Sequence, residues 1–309
     1  MAEQENKTGT AAATPAPLSR GKIFLRRLVS SVALWTVVLL AIFSENKIVS
    51  DYFFLLIMFL LAGAGLIEFY DLARKIGLPC YKRWGIFGGL LLMTATFFYT
   101  SGSMGRAVAP ADVNDFETSF LILFVLGLCV RQFVSKNNPE AITAISTTLF
   151  GLMYIPWLLN FIQKINFYPG IEGRFYVLYF ILVTKFSDLG AYVTGSLIGK
   201  HKMIPRISPG KTWEGFGGAI VVSTLISVGY WHLAGARLAN MTLIHAILLG
   251  ILLSSTAVIG DLIESLFKRE AGVKDSGRLF PGIGGILDLM DSLLFNAPLM
   301  YLYVRHVLM

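Results

Sequence analysis

Charge is scarce in this sequence. Only 15% of its 309 residues are Asp, Glu, Lys or Arg, where a soluble domain carries about 25%. That shortage excludes an ordinary water-soluble globule. Cysteine is nearly absent: Cys80 and Cys129 stand alone, without metal-ligand spacing and without a disulfide framework. The four histidines, His201, His232, His245 and His306, are scattered and define no metal motif. Strict apolar–polar alternation is missing, which argues against a membrane β-barrel. No G-x-x-x-x-G-K-[ST] loop occurs, so a Walker A phosphate site is excluded. Residues 1–20 are rich in Ala, Thr and Pro and contain no apolar stretch. They predict a disordered polar tail and not a signal peptide.

What the sequence has is apolar surface in long blocks. Hydrophobic residues make up 55% of the chain. Runs of this length predict an all-α, polytopic integral membrane protein. Nine spans are expected, at 24–43, 48–69, 84–100, 118–134, 141–163, 174–199, 214–234, 242–264 and 286–304. With the N-terminus cytoplasmic and the C-terminus outside, 19 of the 26 Lys and Arg fall on the cytoplasmic side, six fall outside, and Lys185 lies within a span. The net charge of +7 is therefore explained by topology, and no nucleic-acid partner is expected. No internal repeat of the kind that marks many transporters is present.

The chain is organised around residues 261–291, D-L-I-E-S-L-F-K-R-E-A-G-V-K-D-S-G-R-L-F-P-G-I-G-G-I-L-D-L-M-D. The spacing predicts that Asp261 ends one span and that Asp288 and Asp291 share a face of the next. Carboxylates at membrane depth are expensive and mark function by default. Three of them across a short loop form a candidate oxygen-ligand set for Mg²⁺. Lys268, Arg269, Lys274 and Arg278 suit polyphosphate. A polar hairpin whose charges cancel is the plainer alternative.

A second cluster lies in residues 184–218. Lys185 and Asp188 sit at i, i+3 inside an apolar run. Ala191, Gly195 and Gly199 make a small-residue face suited to helix packing. Lys200, Lys202, Arg206 and Lys211 then crowd beside Ser208 and Thr212, just before Glu214 and Gly215 open a helix. Hydroxyls, ammonium groups and backbone N–H groups at a helix start can bind phosphate. The competing reading is a positive-inside loop touching membrane lipid headgroups.

These two stretches resemble the CDP-diacylglycerol synthase (phosphatidate cytidylyltransferase) family. Ser265, Lys268, Arg269, Lys274, Asp275, Gly277, Pro281, Gly284, Gly285, Asp288 and Asp291 fall in register with its C-terminal signature without a gap. Asp188 through Gly215 match its upstream pattern. The family's His is Ile283 here, and its Arg between the last two aspartates is Leu289. The resemblance implies transfer of CMP from CTP to phosphatidic acid for phospholipid biosynthesis, at the cytoplasmic side of a bacterial inner membrane. It divides the chain into the tail 1–20, N-terminal transmembrane helices 21–170, and a catalytic transmembrane region 171–309 with cytoplasmic loops 200–213 and 265–285. Asp261, Asp288 and Asp291 are the implied Mg²⁺ ligands, with room for a second cation. With Lys211, they are also the implied catalytic residues. Lys211, with Arg206 and Lys200, is expected at the triphosphate, and Lys268 and Arg269 at the lipid phosphate or the leaving pyrophosphate. Ser208, Thr212, Glu214, Lys274 and Asp275 are further expected substrate-binding residues. Asp188 is expected as a further ligand or as the partner of Lys185. A homodimer stays open. So do a related CTP-dependent lipid enzyme, a transporter using the intramembrane charges, and a scaffold that has lost catalysis.

Overall fold

A computed structural model describes Thr36 and residues 46–102, 109–135, 140–277 and 284–309. The expected span at 24–43 lies outside the described residues except for Thr36, and Arg278, Pro281 and Ile283 lie outside them entirely. The long helices are α1 (Lys47–Lys75), α2 (Lys82–Thr100), α3 (Pro110–Val134), α4 (Ala141–Leu152) running through a π-helical turn (Met153–Trp157) into α5 (Leu158–Asn166), α6 (Gly173–Ile198), α7 (Trp213–Ala234), α8 (Leu243–Glu270) and α9 (Ile286–Tyr303). Counting α4 to α5 as one element, six helices among the described residues are long and apolar enough to cross a membrane. The other two, α2 and α9, are shorter and begin with charged residues or carry them in their first turns. Large apolar side chains stand bare on the outside, such as Phe133 at 92%, Leu233 at 85% and Ile142 at 82% exposed. A water-soluble protein would bury such groups; a bilayer covers them. The chain is an all-α integral membrane protein.

Local sequence explains the turns. Asn46 caps α1 by accepting from the backbone N–H of Ile48 and Val49. Pro156 lacks an N–H, and the continuous helix widens into the π turn around it. Lys185 and Asp188 do not interrupt α6, which runs unbroken for 26 residues. The expected loop 200–213 contains the only strands among the described residues. β1 (Lys202–Ile204) and β2 (Ser208–Thr212) form an antiparallel hairpin, with Lys202 opposite Thr212 and Ile204 opposite Ser208. The end of α8 also differs from expectation. It continues to Glu270, so Asp261 lies inside a helix and not at its end. An i, i+4 ion pair between Glu264 and Lys268 supports that extension.

One buried apolar core joins the first and last helices. Leu66 of α1, Ile155 of the π turn, Tyr176 and Tyr179 of α6, Leu249 of α8 and Met290 of α9 belong to it. Helices α6, α7, α8 and α9 pack successively against one another. Close approach is built into the seam: Gly260 of α8 lies where a Cβ would meet the backbone oxygen of Asp291 at 2.7 Å. Both carboxylate-bearing helices are thereby held side by side.

Candidate active site

The hairpin delivers one side of the site. Thr212 closes β2 and caps α7, its Oγ1 accepting from Gly215 N at 3.1 Å. Glu214, in the first turn of α7, bends back over the hairpin's entry. Its carboxylate accepts from Lys200 N at 3.1 Å and His201 N at 3.2 Å, and lies 2.5 Å from His201 Nδ1. Arg269, at the end of α8, donates from Nε to the Ile207 carbonyl at 3.1 Å and so ties down the hairpin's far end. With both ends fixed, Lys211 points inward. Its Nζ lies 2.8 Å from Asp261 Oδ2 and donates to the Val258 carbonyl at 3.1 Å. A cleft of about 370 Å³ opens here, lined by Asp188, Tyr192, Ser208, Lys211, Thr212 and Asp261 among others. Its volume falls within the ordinary range of ligand sites.

Below Lys211 the acidic groups converge. Asp261, Glu264 and Asp291 each present a carboxylate oxygen, and these oxygens lie within 4.8 Å of one another. Glu264 is 2% and Asp291 8% exposed. Glu264 touches the Lys268 ammonium, yet neither of its oxygens receives a well-directed hydrogen bond among the described residues. Asp291 is bonded by Ser292 N at 2.5 Å. On the flank, Lys185 Nζ lies 3.5 Å from Asp188 Oδ2 and donates to the Leu289 carbonyl at 2.9 Å and Ser292 Oγ at 3.2 Å. Ser292 Oγ in turn donates to Asp188 Oδ2 at 3.3 Å.

Asp288 is placed differently from Asp261 and Asp291. Its Oδ1 lies 2.5 Å from Lys268 Nζ. Its Oδ2 accepts from Gly285 N at 2.7 Å, Ser276 N at 3.0 Å and Ser276 Oγ at 3.0 Å. At the third position of α9 it satisfies a backbone N–H that a helix start leaves unpaired. Both its oxygens are occupied by donors, and the close carboxylate cluster contains Glu264 in its stead.

The molecule thus brings together Asp188, Asp261, Asp288, Asp291, Lys211 and Lys268, with Lys185 and Glu264 among them. Glu264 and Asp291 are the buried members of this group, and buried carboxylates are costly unless paired or ligating. The donor set of Asp261, Glu264 and Asp291 is all-oxygen and suits Mg²⁺. Lys200, Arg206, Lys274 and Asp275 are exposed, Ser208 lines the cleft, and Thr212, Glu214 and Arg269 hold the hairpin. Glu264 was not among the sequence candidates, although its i, i+3 spacing from Asp261 within one helix was a usable signal. Glu68 was also missed. It lies on α1, yet its Oε1 accepts from Ile286 N at 2.9 Å and its Oε2 from Leu287 N at 3.0 Å. No spacing rule connects residues so far apart.

The chain from residue 25 to 307 matches the model of the cytidylyltransferase family. It is 32% identical over 269 residues to the phosphatidate cytidylyltransferase of Staphylococcus haemolyticus, covering 86% of this chain and 95% of that one. It is 47% identical over 182 residues to the enzyme of that name from Staphylococcus aureus strain COL, covering 59% of this chain and 65% of the relative. It is also 36% identical over 159 residues to the uncharacterized protein YnbB of Escherichia coli K12, covering 52% and 51%. The match spans both the hairpin and the carboxylate cluster that the fold brings together, and the chain belongs to the cytidylyltransferase family.

Proposed function

We propose that this chain transfers CMP from CTP to phosphatidate, forming CDP-diacylglycerol and releasing pyrophosphate. A phosphate oxygen of phosphatidate attacks the α-phosphorus of CTP. One P–O bond forms, and the bond from the α-phosphorus to the bridging oxygen breaks. The electron pair leaves with pyrophosphate. The second pKa of a phosphate monoester is about 6, so the nucleophile is largely dianionic near neutral pH and needs little help from a base. The absence of the family's His at Ile283 is tolerable for that reason. Such transfers depend chiefly on alignment and charge neutralisation.

The observation that carries this reading is the convergence of Asp261, Glu264 and Asp291 beside Lys211 and an open polar cleft. In our account these three carboxylates hold a divalent cation. When bound it supplies neutralisation and polarisation of phosphate oxygens. Lys211 binds the nucleotide's phosphates in the cleft and stabilises the charge that grows on them. The exposed Lys200 and Arg206 assist from the rim. Lys268, held by Glu264 and Asp288, orients the lipid phosphate, and Lys274 and Arg269 contribute positive potential nearby. Lys185 holds Asp188 and the backbone at Leu289 in place. It provides a cation against α9 in a segment where the family's Arg is replaced by Leu289.

The finer topology belongs to the same proposal: nine spans, a cytoplasmic N-terminus, an external C-terminus, and an active site open to the cytoplasm of a bacterial cell. Its support is the 19-to-6 division of Lys and Arg. The family match and the names of the relatives favour nucleotidyl transfer over the transporter alternative. The test is direct. Purified protein in detergent is given labelled CTP, phosphatidate and Mg²⁺, and lipid-soluble cytidine product is measured. Product that depends on all three supports the proposal. No product with a folded, monodisperse protein contradicts it.

A further inference from the structure

A carboxylate from the N-terminal half reaches the start of α9, and that contact has consequences for the reacting groups. Glu68 lies on α1, some two hundred residues before the segment it touches. Its Oε1 accepts from Ile286 N at 2.9 Å, and its Oε2 from Leu287 N at 3.0 Å. These are the first two N–H groups of α9, donors that an α-helix cannot satisfy internally. A carboxylate there also meets the positive end of the helix dipole. Ser276, in the segment between α8 and α9, adds a third contact. Its Oγ lies 2.9 Å from Glu68 Oε2 and 3.0 Å from Asp288 Oδ2. A hydroxyl has one hydrogen, so Ser276 bonds one carboxylate at a time and couples the two.

The neighbourhood is shaped for this carboxylate. Gly277 and Gly285 both lie where a Cβ would collide with Glu68 oxygens. Only hydrogen fits at either position while Glu68 stays in place. In the same first turn of α9 is Asp288, which binds Lys268, and about one turn further is Asp291, which faces Asp261 and Glu264. An α-helix advances about 1.5 Å per residue, so the clamp at 286–287 fixes Asp291 within one to two turns of its point of contact.

We infer that Glu68 is a positioning residue: it latches the start of α9 to α1 and thereby sets the placement of Asp288 and Asp291 against α8. The catalytic consequence rests on the proposed function, in which those carboxylates serve the transfer. The latch itself does not depend on that reading. Glu68→Gln keeps the shape but turns one acceptor into an NH₂ group facing N–H and O–H donors. Gly277→Ala leaves Glu68 chemically intact and displaces it by contact.

The test uses the full-length protein in detergent and two readouts. Turnover is measured with CTP, phosphatidate and Mg²⁺. Trypsin cleavage after the exposed Lys274 is followed by mass spectrometry. Displacement of reacting groups by about 1 Å costs about a hundredfold. We expect Glu68→Gln and Gly277→Ala to lower kcat by about that factor, with KM for CTP within about twofold. We expect cleavage after Lys274 to accelerate about tenfold, as for a local opening made about 1.4 kcal/mol easier. Glu68→Asp, which keeps the charge, should recover part of the lost kcat. Should Glu68→Gln fail to fold, Gly277→Ala and Ser276→Ala decide by the same two readouts. Unchanged kcat in the folded variants overturns the inference, whether or not cleavage accelerates. If the unsubstituted protein makes no product while cleavage still accelerates in the variants, the proposed function falls and the latch stands.

Discussion

Lys211 Nζ lies 2.8 Å from Asp261 Oδ2, joining the end of a surface hairpin to the interior of α8. The contact brings the two motif-bearing stretches of the chain to one point. An ammonium held beside a carboxylate is oriented before substrate arrives, which is the condition for strong transition-state stabilisation. Lys211→Met should lower kcat by about 10²–10³, the usual loss for one preorganised electrostatic group. Lys211→Arg should recover only part, because guanidinium and ammonium differ in shape and reach. Steady-state product formation measures both.

Asp288 and Asp291 should fail in different ways. Asp291→Asn removes a carboxylate from the close cluster, so turnover should vanish while the protein still inserts and purifies as a folded species. Asp288→Asn leaves that cluster intact but removes one of the two carboxylates that hold Lys268 and turns one of the two oxygens shared among Lys268, Gly285 and Ser276 into a donor. It should lose activity and also loosen the segment before α9, seen as faster cleavage after Lys274. Equal behaviour of the two variants in the cleavage assay would argue against this division of roles.

Gly260 tests the seam between α8 and α9. A Cβ there would meet the Asp291 backbone oxygen at 2.7 Å, closer than packing allows. Gly260→Ala should therefore push the helices apart at the carboxylate cluster. Overpacking of this sort costs about 1–3 kcal/mol. A lowered thermal midpoint with at least a tenfold loss of kcat is expected. Gly217, with open space around it, serves as the control, and Gly217→Ala should leave the midpoint nearly unchanged.

Away from the site, Lys164 and Glu117 form a buried ion pair, each side chain 3% exposed. Trp157 Nε1 and Asn160 Nδ2 donate to the same carboxylate at 3.2 and 3.4 Å. Removing one partner of a buried pair costs about 3–5 kcal/mol, whereas replacing both by apolar groups is often neutral. Lys164→Met should lower the thermal midpoint sharply. Glu117→Met with Lys164→Met together should restore much of the loss. CTP turnover per folded molecule should be the same in both.

How much of this was legible in the sequence depended on the range of the interactions. Spans were legible because apolar length is a local property, and α1 and α4 to α5 begin close to the expected positions. The candidate residues 188–214 and 261–291 were recognisable as motifs, and the fold brings several of them together. Three things were lost. The charges from Lys268 to Glu270 suggested a loop from residue 265 onward, because their neutralisation by helical spacing and by α9 is not visible in composition. Glu264 was overlooked with them. The hairpin was hidden for a related reason: Pro205 and Pro209 suggest a stiff loop, while its pairing is fixed by Glu214 and Arg269 from the adjoining helices. Glu68 depended on tertiary contact alone, and an isolated carboxylate near the end of an apolar run does not reveal which helix start it will meet.

The central claim is that Asp261, Glu264 and Asp291 together hold a divalent cation. Mn²⁺ binding followed by electron paramagnetic resonance, on the purified protein and on Asp291→Asn and Glu264→Gln, tests it most directly. The account predicts a bound-ion signal in the unsubstituted protein, displaced by Mg²⁺ and weakened at least tenfold in both variants. Mn²⁺ binding of equal strength in all three proteins would contradict it.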